Sequence, residues 1–201
     1  LLFLLLTAPA LALQPAESAT RTIIPLDGVW HLTVNSRSLN IAVPSSFAEL
    51  VEGLPEAYSG PAVYHRDFRV PAAFRGQRLV LRFDSANYRA AVRVDGALLT
   101  THEFAGMPFE AELPAITAGV HTLSVTVDVA RSWQTLPPGL PTTHYGVPVV
   151  LTWDGLYGFG GLDGRVRLLA LPPRASIADV STVPSLDDGN ATTARLAYSV
   201  V

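Results

Sequence analysis

The chain has 201 residues, of which 49 % are hydrophobic and 15 % charged, and its formal net charge at pH 7 is −3. This composition argues against global disorder, and the lack of any cluster of lysine and arginine argues against nucleic acid as a partner. There is no cysteine, which excludes disulfides, thiolate metal sites and a cysteine nucleophile.

The first element in chain order is an apolar leader. Residues 1–6 are too few to span a bilayer, and the small residues after them include Ala10-Leu11-Ala12, the small-x-small order of a leader peptidase site. We interpret residues 1–13 as a signal peptide without its charged front end, cleaved near Ala12. The alternative is a buried strand or helix. The signal peptide predicts a secreted, extracellular or lysosomal protein.

From about Ile23 to Leu171, short runs of alternating apolar and polar residues predict β-strands, and helical periodicity is almost absent. Asp95-Gly96 predicts a two-residue hairpin turn, because glycine tolerates a positive φ. Most prolines and glycines lie between the runs, as in an antiparallel sandwich or barrel. The alternation predicts a core that contains Leu79, Leu81, Phe83, Val92, Val94, Leu123, Val125 and Val127.

Three acids and a histidine occur together in residues 101–114, THEFAGMPFEAELP. Glu110 and Glu112 would share one face of a strand, and two carboxylates about 5 Å apart suit a retaining glycosidase. The apolar residues that alternate with them instead favour a solvated outer face for both acids. The alternating residues are Phe109, Ala111 and Leu113.

The least regular stretch is residues 132–164, which we predict to be a long loop. Its aromatic rings either stack on sugar faces or close the end of the sandwich. The five histidines show no ligand spacing, so we expect no metal site, and no motif predicts a cofactor. The aromatic residues of the stretch are Trp133, Tyr145, Trp153, Tyr157 and Phe159.

After Pro172-Pro173 the strand pattern starts again, which predicts a domain boundary there. Residues 177–183 and 193–201 read as two strands, and the segment from Asp187 to Asn190 reads as the turn between them. Asn190 lies in the sequence Asn-Ala-Thr, so in a eukaryotic host we expect it to carry a glycan. The pattern stops in the middle of a strand, and we interpret the chain as part of a longer protein.

Several motifs together resemble the N-terminal domain of β-glucuronidases in glycoside hydrolase family 2, and they occur in the order of that family. They are LDGVW (26–30), VPSSFAEL (43–50), VYHRDFRVP (63–71), RLVLRFDSANYRAAVRVDG (78–96), HEFAGMPFEAEL (102–113), TLPPG (135–139) and LYGFGGLDGRVRLLALPP (156–173). SIADVSTV (176–183) resembles the first strand of the family's immunoglobulin-like domain.

The resemblance implies a jelly-roll, galactose-binding-like sandwich at residues 21–173 and the beginning of an immunoglobulin-like sandwich at residues 174–201. It also implies that the catalytic glutamates belong to a (β/α)₈ barrel outside this chain. His102, Glu103, Glu110 and Glu112 would then be structural, and the chain alone would be inactive. The parent would be a glycoside hydrolase of the β-glucuronidase or β-galactosidase class that needs no cofactor.

One site residue follows from the resemblance. In the family an aspartate just before the LYGFGG-like motif reaches the sugar pocket, and Asp154 stands near that place, one residue early because Gly155 is inserted. Asp154 is therefore the expected substrate-binding residue, with a β-glucuronide or related β-glycoside as substrate. A homo-oligomeric parent is a further expectation. The alternative is a secreted, non-catalytic carbohydrate-binding or adhesion protein on the same sandwich.

Overall fold

A computed structural model describes residues 15–55, 57–104, 106–136, 138–151, 160–174, 180–187 and 190–200. Within these residues no helix has the length and apolarity needed to cross a bilayer. The chain divides into two compact units, Leu1–Leu171 and Pro172–Val201. The predicted leader with its cleavage site near Ala12 lies outside the described residues.

Strands dominate the described residues, in keeping with the alternating pattern of the sequence. The helical elements are short: α1 (Phe47–Leu50) and a one-turn 3₁₀ helix at Ala72–Phe74. The strands of the first unit are β1 (Thr22–Pro25), β2 (Gly28–Val34), β3 (Arg37–Val43), β4 (Pro61–Val70), β5 (Arg78–Phe83), β6 (Arg89–Val94), β7 (Ala97–Glu103), β8 (Phe109–Glu112), β9 (Gly119–Asp128), β10 (Leu140–His144), β11 (Val147–Leu151) and β12 (Val166–Leu171).

The first unit is an antiparallel sandwich of the jelly-roll type. One sheet has six strands in the order β3-β2-β4-β9-β6-β7, and the other has four in the order β1-β12-β5-β8. Every strand pairing is antiparallel. The prediction of an all-β sandwich is confirmed.

The core lies between the two sheets and contains the residues that the alternation predicts. All eight predicted core residues, from Leu79 to Val127, are at most 5 % exposed. Trp30 and Tyr64 are the largest fully buried side chains, and their rings meet edge to face at 6.5 Å. Such aromatic pairs bury large apolar areas, so they contribute strongly to the stability of the sandwich.

The turn at Asp95-Gly96 joins β6 to β7 as predicted. Both residues have a positive φ, 50° for Asp95 and 83° for Gly96. Two central residues with positive φ match the twist of a two-stranded hairpin.

The stretch 132–164 is more regular than the sequence indicated. Strands β10 and β11 pair in register from Leu140↔Leu151 to His144↔Val147, with Tyr145-Gly146 as the turn between them. The prediction of a long loop is wrong for this part. All five residues of β10 are exposed, so the strand has no buried face that alternation in the sequence could have indicated.

The described part of the second unit is a hairpin of β13 (Val180–Asp187) and β14 (Asn190–Val200). Asp187 pairs with Asn190 at the end of this hairpin. The strands are longer than predicted towards the turn, so Asn190 begins a strand instead of lying in the turn. The immunoglobulin-like character of this unit stays a prediction.

Candidate functional site

The predicted substrate-binding residue Asp154 lies in segment 152–159, outside the described residues, as do Trp153, Tyr157 and Phe159. The segment follows Leu151 at the end of β11 and precedes Gly160. The residues around these two points therefore form the described part of the candidate site.

Gly160 and Gly161 form backbone hydrogen bonds with the first residue of α1 and with the turn before β6. The backbone N–H of Phe47 donates to the carbonyl of Gly160 at 3.0 Å. Gly161 and Asn87 exchange two backbone hydrogen bonds, each of 2.9 Å. Gly160 and Gly161 are thereby held beside Phe47 and the start of β6.

Both glycines are required by the space around them. A Cβ on Gly160 would lie 2.3 Å from Cγ1 of Val129, and a Cβ on Gly161 would lie 2.6 Å from the hydroxyl of Tyr64. Gly161 also has a φ of +135°, which residues with a side chain rarely adopt. The close approach of the backbone to the core explains why glycine occupies both positions.

A buried cation lies beside the same turn. Arg131 is 8 % exposed, and it donates from Nη2 to Oδ1 of Asn87 at 3.4 Å. Its guanidinium lies over the ring of Tyr88, with Cζ 5.9 Å from the centroid. The hydroxyl of Tyr88 accepts a hydrogen bond from the backbone of Leu136 at 3.1 Å. The cluster connects residues 131–136 to the start of β6, and the sequence analysis gave no sign of it.

An acid that the sequence analysis missed is also present here. The hydroxyl of Ser85 donates to Oδ1 of Asp163 at 2.6 Å and accepts from the backbone of Gly106 at 3.2 Å. Partial desolvation raises the pKa of Asp163, and the hydrogen bond from Ser85 opposes that rise. A carboxyl in such surroundings keeps a proton more readily than an exposed aspartate.

An apolar groove of about 610 Å³ opens beside the β10–β11 hairpin. Tyr145 at the turn is 94 % exposed, and its ring meets that of His144 at 4.4 Å. Exposed rings beside an apolar surface can stack on the C–H faces of a sugar or on an aromatic group. The apolar residues that line the groove are Leu54, Pro55, Ala57, Val147, Val149 and Leu151.

The three acids of the stretch 101–114 form ion pairs with neighbouring strands. Glu112 pairs with Arg78 at 3.0 Å, Glu110 with Arg82 at 3.1 Å, and Glu103 with Arg89 at 3.2 Å. The hydrogen bond from Arg89 lowers the pKa of Glu103. A general acid needs a raised pKa, so the shift of Glu103 is in the opposite direction.

The histidine of the same stretch belongs to a stack of three rings. The ring of His102 lies on that of Phe109 at 4.2 Å and 8°, and Phe109 lies on Phe83 at 4.8 Å and 7°. The structure therefore gives His102 a packing role on the core side of β7. In the described residues, no three His, Cys, Asp or Glu side chains come together to hold a metal ion.

The chain is similar to β-glucuronidases in sequence and in fold. No protein-family model matches the chain. The β-glucuronidase of Paenibacillus borealis is 27 % identical over 78 % of the chain, and that of Mus musculus is 29 % identical over 91 %. The solved Lactobacillus rhamnosus β-glucuronidase superposes on 94 % of the chain with a TM-score of 0.84 and 29 % identity. The chain carries a β-glucuronidase-like sandwich.

The β-glucuronidase-like sandwich covers only part of these proteins. The chain spans about a third of the length of its curated relatives, 30 % of the Paenibacillus protein and 34 % of the mouse protein. The same share, 34 %, holds for the solved enzyme of Dictyoglomus thermophilum, which superposes with a TM-score of 0.81. The resemblance seen in the sequence motifs is thus confirmed by overall sequence identity and by fold.

Proposed function

We propose that the chain is the ancillary, non-catalytic sandwich of a retaining exo-glycosidase that hydrolyses β-glucuronides or related β-glycosides. The observation that carries the proposal is the superposition on solved β-glucuronidases over 94 % of the chain but about a third of theirs. These relatives are β-glucuronidases, which favours this function over a stand-alone adhesion protein. Carbohydrate is then the partner of the whole protein.

The chain alone is expected to hydrolyse nothing. Retaining hydrolysis needs a protonated acid and a nucleophilic carboxylate about 5–5.5 Å apart. Glu103, Glu110 and Glu112 are each paired with an arginine of a neighbouring strand, so none of them is placed as the acid or the nucleophile of such a pair.

The purified chain, assayed on 4-nitrophenyl β-glucuronide and β-galactoside, tests this claim. The Lactobacillus rhamnosus β-glucuronidase serves as the positive control. We expect turnover at the level of buffer alone. Turnover close to that of the control would contradict the proposal and would direct attention to Asp163.

A chimaera tests the ancillary role directly. The sandwich of the Lactobacillus rhamnosus enzyme that superposes on this chain is replaced by residues 21–171. We expect measurable β-glucuronidase activity, because the two sandwiches share one fold, with a TM-score of 0.84 and 29 % identity. A chimaera that folds but is as inactive as the isolated chain would argue for a different role of this sandwich.

Asp154 is the proposed contact to substrate. In the active chimaera, Asp154→Ala should raise KM and lower kcat/KM, because a positioning contact is lost while the acid and the nucleophile remain. Asp67→Ala is the matched control, since Asp67 is an exposed residue that accepts a hydrogen bond from Thr122 on the six-stranded sheet. Equal kinetics for both variants would refute the role of Asp154.

We also propose that the protein is secreted after cleavage near Ala12, on the basis of the apolar leader. Mass spectrometry of the mature amino terminus in the native host tests this, and a retained leader would contradict it. In eukaryotic material the same spectra should show a glycan on Asn190, whereas an unmodified Asn190 would remove that part of the proposal.

A further inference from the structure

Two histidines lie side by side on the outer face of the six-stranded sheet. The antiparallel register of β2 and β4 places His31 directly opposite His65. Both residues are exposed, whereas Trp30, Leu32 and Tyr64, their neighbours along the two strands, are buried. Because side chains alternate along a strand, both imidazoles project from the same face of the sheet.

The surroundings leave both rings free to bind. The next residues in the same row are Asn40 on β3, opposite His31, and Ser124 on β9, opposite His65. These two side chains are small and uncharged, so neither of them repels a cation. Within the described part of the chain, neither ring takes part in a hydrogen bond or an ion pair.

The spacing suits one metal ion. Directly opposed residues of an antiparallel pair have Cβ atoms about 4.5–5.5 Å apart. Two imidazoles at this separation can turn towards each other until one nitrogen of each lies about 2.0–2.1 Å from a shared ion. Since no third protein ligand joins them among the described residues, water would complete the coordination.

We propose that His31 and His65 form a two-histidine surface site for a divalent transition-metal ion that connects β2 to β4. Imidazole nitrogen suits copper, nickel and zinc, and the Irving–Williams order ranks Cu²⁺ above Ni²⁺ and Zn²⁺. The site lies on the outer face of the sandwich and is independent of the proposed glycosidase role. Bound metal stabilises the folded chain, because the register that pairs the two rings exists only in the folded sheet.

Calorimetric titration of the tag-free chain with CuCl₂, NiCl₂ and ZnCl₂ at pH 7.5 tests the site. We expect one ion per chain, an affinity order with Cu²⁺ first, and a rise in Tm on addition of metal. The electron paramagnetic resonance spectrum of the Cu²⁺ form should show two nitrogen ligands. Binding should weaken in acid, because protons compete for the imidazole nitrogens.

Single substitutions identify the ligands. His31→Gln and His65→Gln should each weaken binding by roughly a hundredfold, since the remaining ring binds without the chelate effect. His144→Gln is the matched control, an exposed histidine on the β10–β11 hairpin, and it should bind as the parent chain does. Circular dichroism of each variant verifies that the fold is intact.

Three results would contradict the two-histidine site. Absence of binding at millimolar Cu²⁺ would overturn the proposal, as would binding that survives either substitution at His31 or His65. A loss of binding in His144→Gln alone would place the metal on the hairpin and would also overturn it.

Discussion

Strands β6 and β9 run side by side, and the two ends of this pair are held in different ways. At the end near Asn87, backbone hydrogen bonds, two crowded glycines and a buried arginine connect the turn to Gly160-Gly161. At the end near Asp95, the connections are made by polar side chains on the surface. The stability of the first end depends on close packing, and that of the second depends on ionisable side chains at the surface.

The charged contact at the Asp95 end is a histidine–aspartate pair. Nδ1 of His121 lies 2.7 Å from Oδ2 of Asp95, and Nε2 lies 2.8 Å from the carbonyl of Thr117. The other oxygen of Asp95 accepts from the backbone of Thr122 at 2.9 Å. The stability of one sandwich can therefore be sensitive to added side-chain volume at one end and to pH at the other.

The largest effect is expected for Phe47→Ala at the Asn87 end. Phe47 is fully buried and packs edge to face on Tyr58 at 5.9 Å. Removal of a buried phenylalanine ring leaves a cavity and should lower the free energy of unfolding by about 4 kcal/mol. Urea denaturation measures this loss.

Val120→Ala is the apolar control at the Asp95 end, because Val120 is 58 % exposed. Its free energy of unfolding should change by less than about 0.5 kcal/mol. Equal losses at Phe47 and Val120 would break the contrast between the two ends.

Gly161→Ala should have the next largest effect. The added methyl group meets the hydroxyl of Tyr64 and the carbonyl of Ser45, and the backbone φ of +135° adds strain. We expect a loss of about 3 kcal/mol from both causes together, measured by urea denaturation.

Gly106→Ala separates the two causes. Gly106 also has a positive φ, +74°, but nothing lies within 4 Å of the Cβ that would be added. The cost there should be about 1 kcal/mol, from the backbone alone. If both variants lose the same stability, crowding at Gly161 contributes nothing and close packing does not distinguish the Asn87 end.

The smallest effect is a pH dependence at the other end. The hydrogen bond to Asp95 raises the pKa of His121 above 6.5, and the hydrogen bond from His121 lowers the pKa of Asp95 below 3.8. The histidine contributes stability below pH 6.5 that is lost as the pH rises through its raised pKa. The aspartate contributes stability above pH 3.8 that is lost as the pH falls through its lowered pKa.

The pair should therefore stabilise the fold most between these two values, near pH 5. Asp95→Asn keeps an acceptor for Thr122 and tolerates the positive φ, but it removes the charge that His121 faces. We expect the difference in Tm between the parent chain and this variant to be largest near pH 5 and to shrink towards pH 8. A difference that grows with pH would show that the pair acts in the opposite sense.

The core was predictable from the sequence because strand alternation is a local property. Leu123, Val125 and Val127 face inward in β9 as their spacing predicts, and the Asp95-Gly96 turn lies where its residue types require it. In both cases neighbours in the chain determine the geometry, so one sequence suffices to infer it.

The contacts of the candidate site are not local and could not be predicted in this way. The pairing of Gly161 with Asn87 joins residues 74 positions apart in the chain, and Arg131 becomes buried only when that end of the sandwich is assembled. The β10–β11 hairpin was missed because β10 is exposed along its whole length and because the two strands carry Pro141 and Pro148, which indicate loops.

The acids of the stretch 101–114 have one more consequence, which concerns solubility. Strands β7 and β8 are the outermost strands of their sheets, and such strands can pair with other molecules and begin aggregation. Glu103 ends β7, and Glu110 and Glu112 occupy the exposed face of β8, which is only four residues long. Short length and paired charge discourage a second chain from adding its own strand. Acids that in the sequence suggested a catalytic pair thus help to prevent aggregation through the edges of the two sheets.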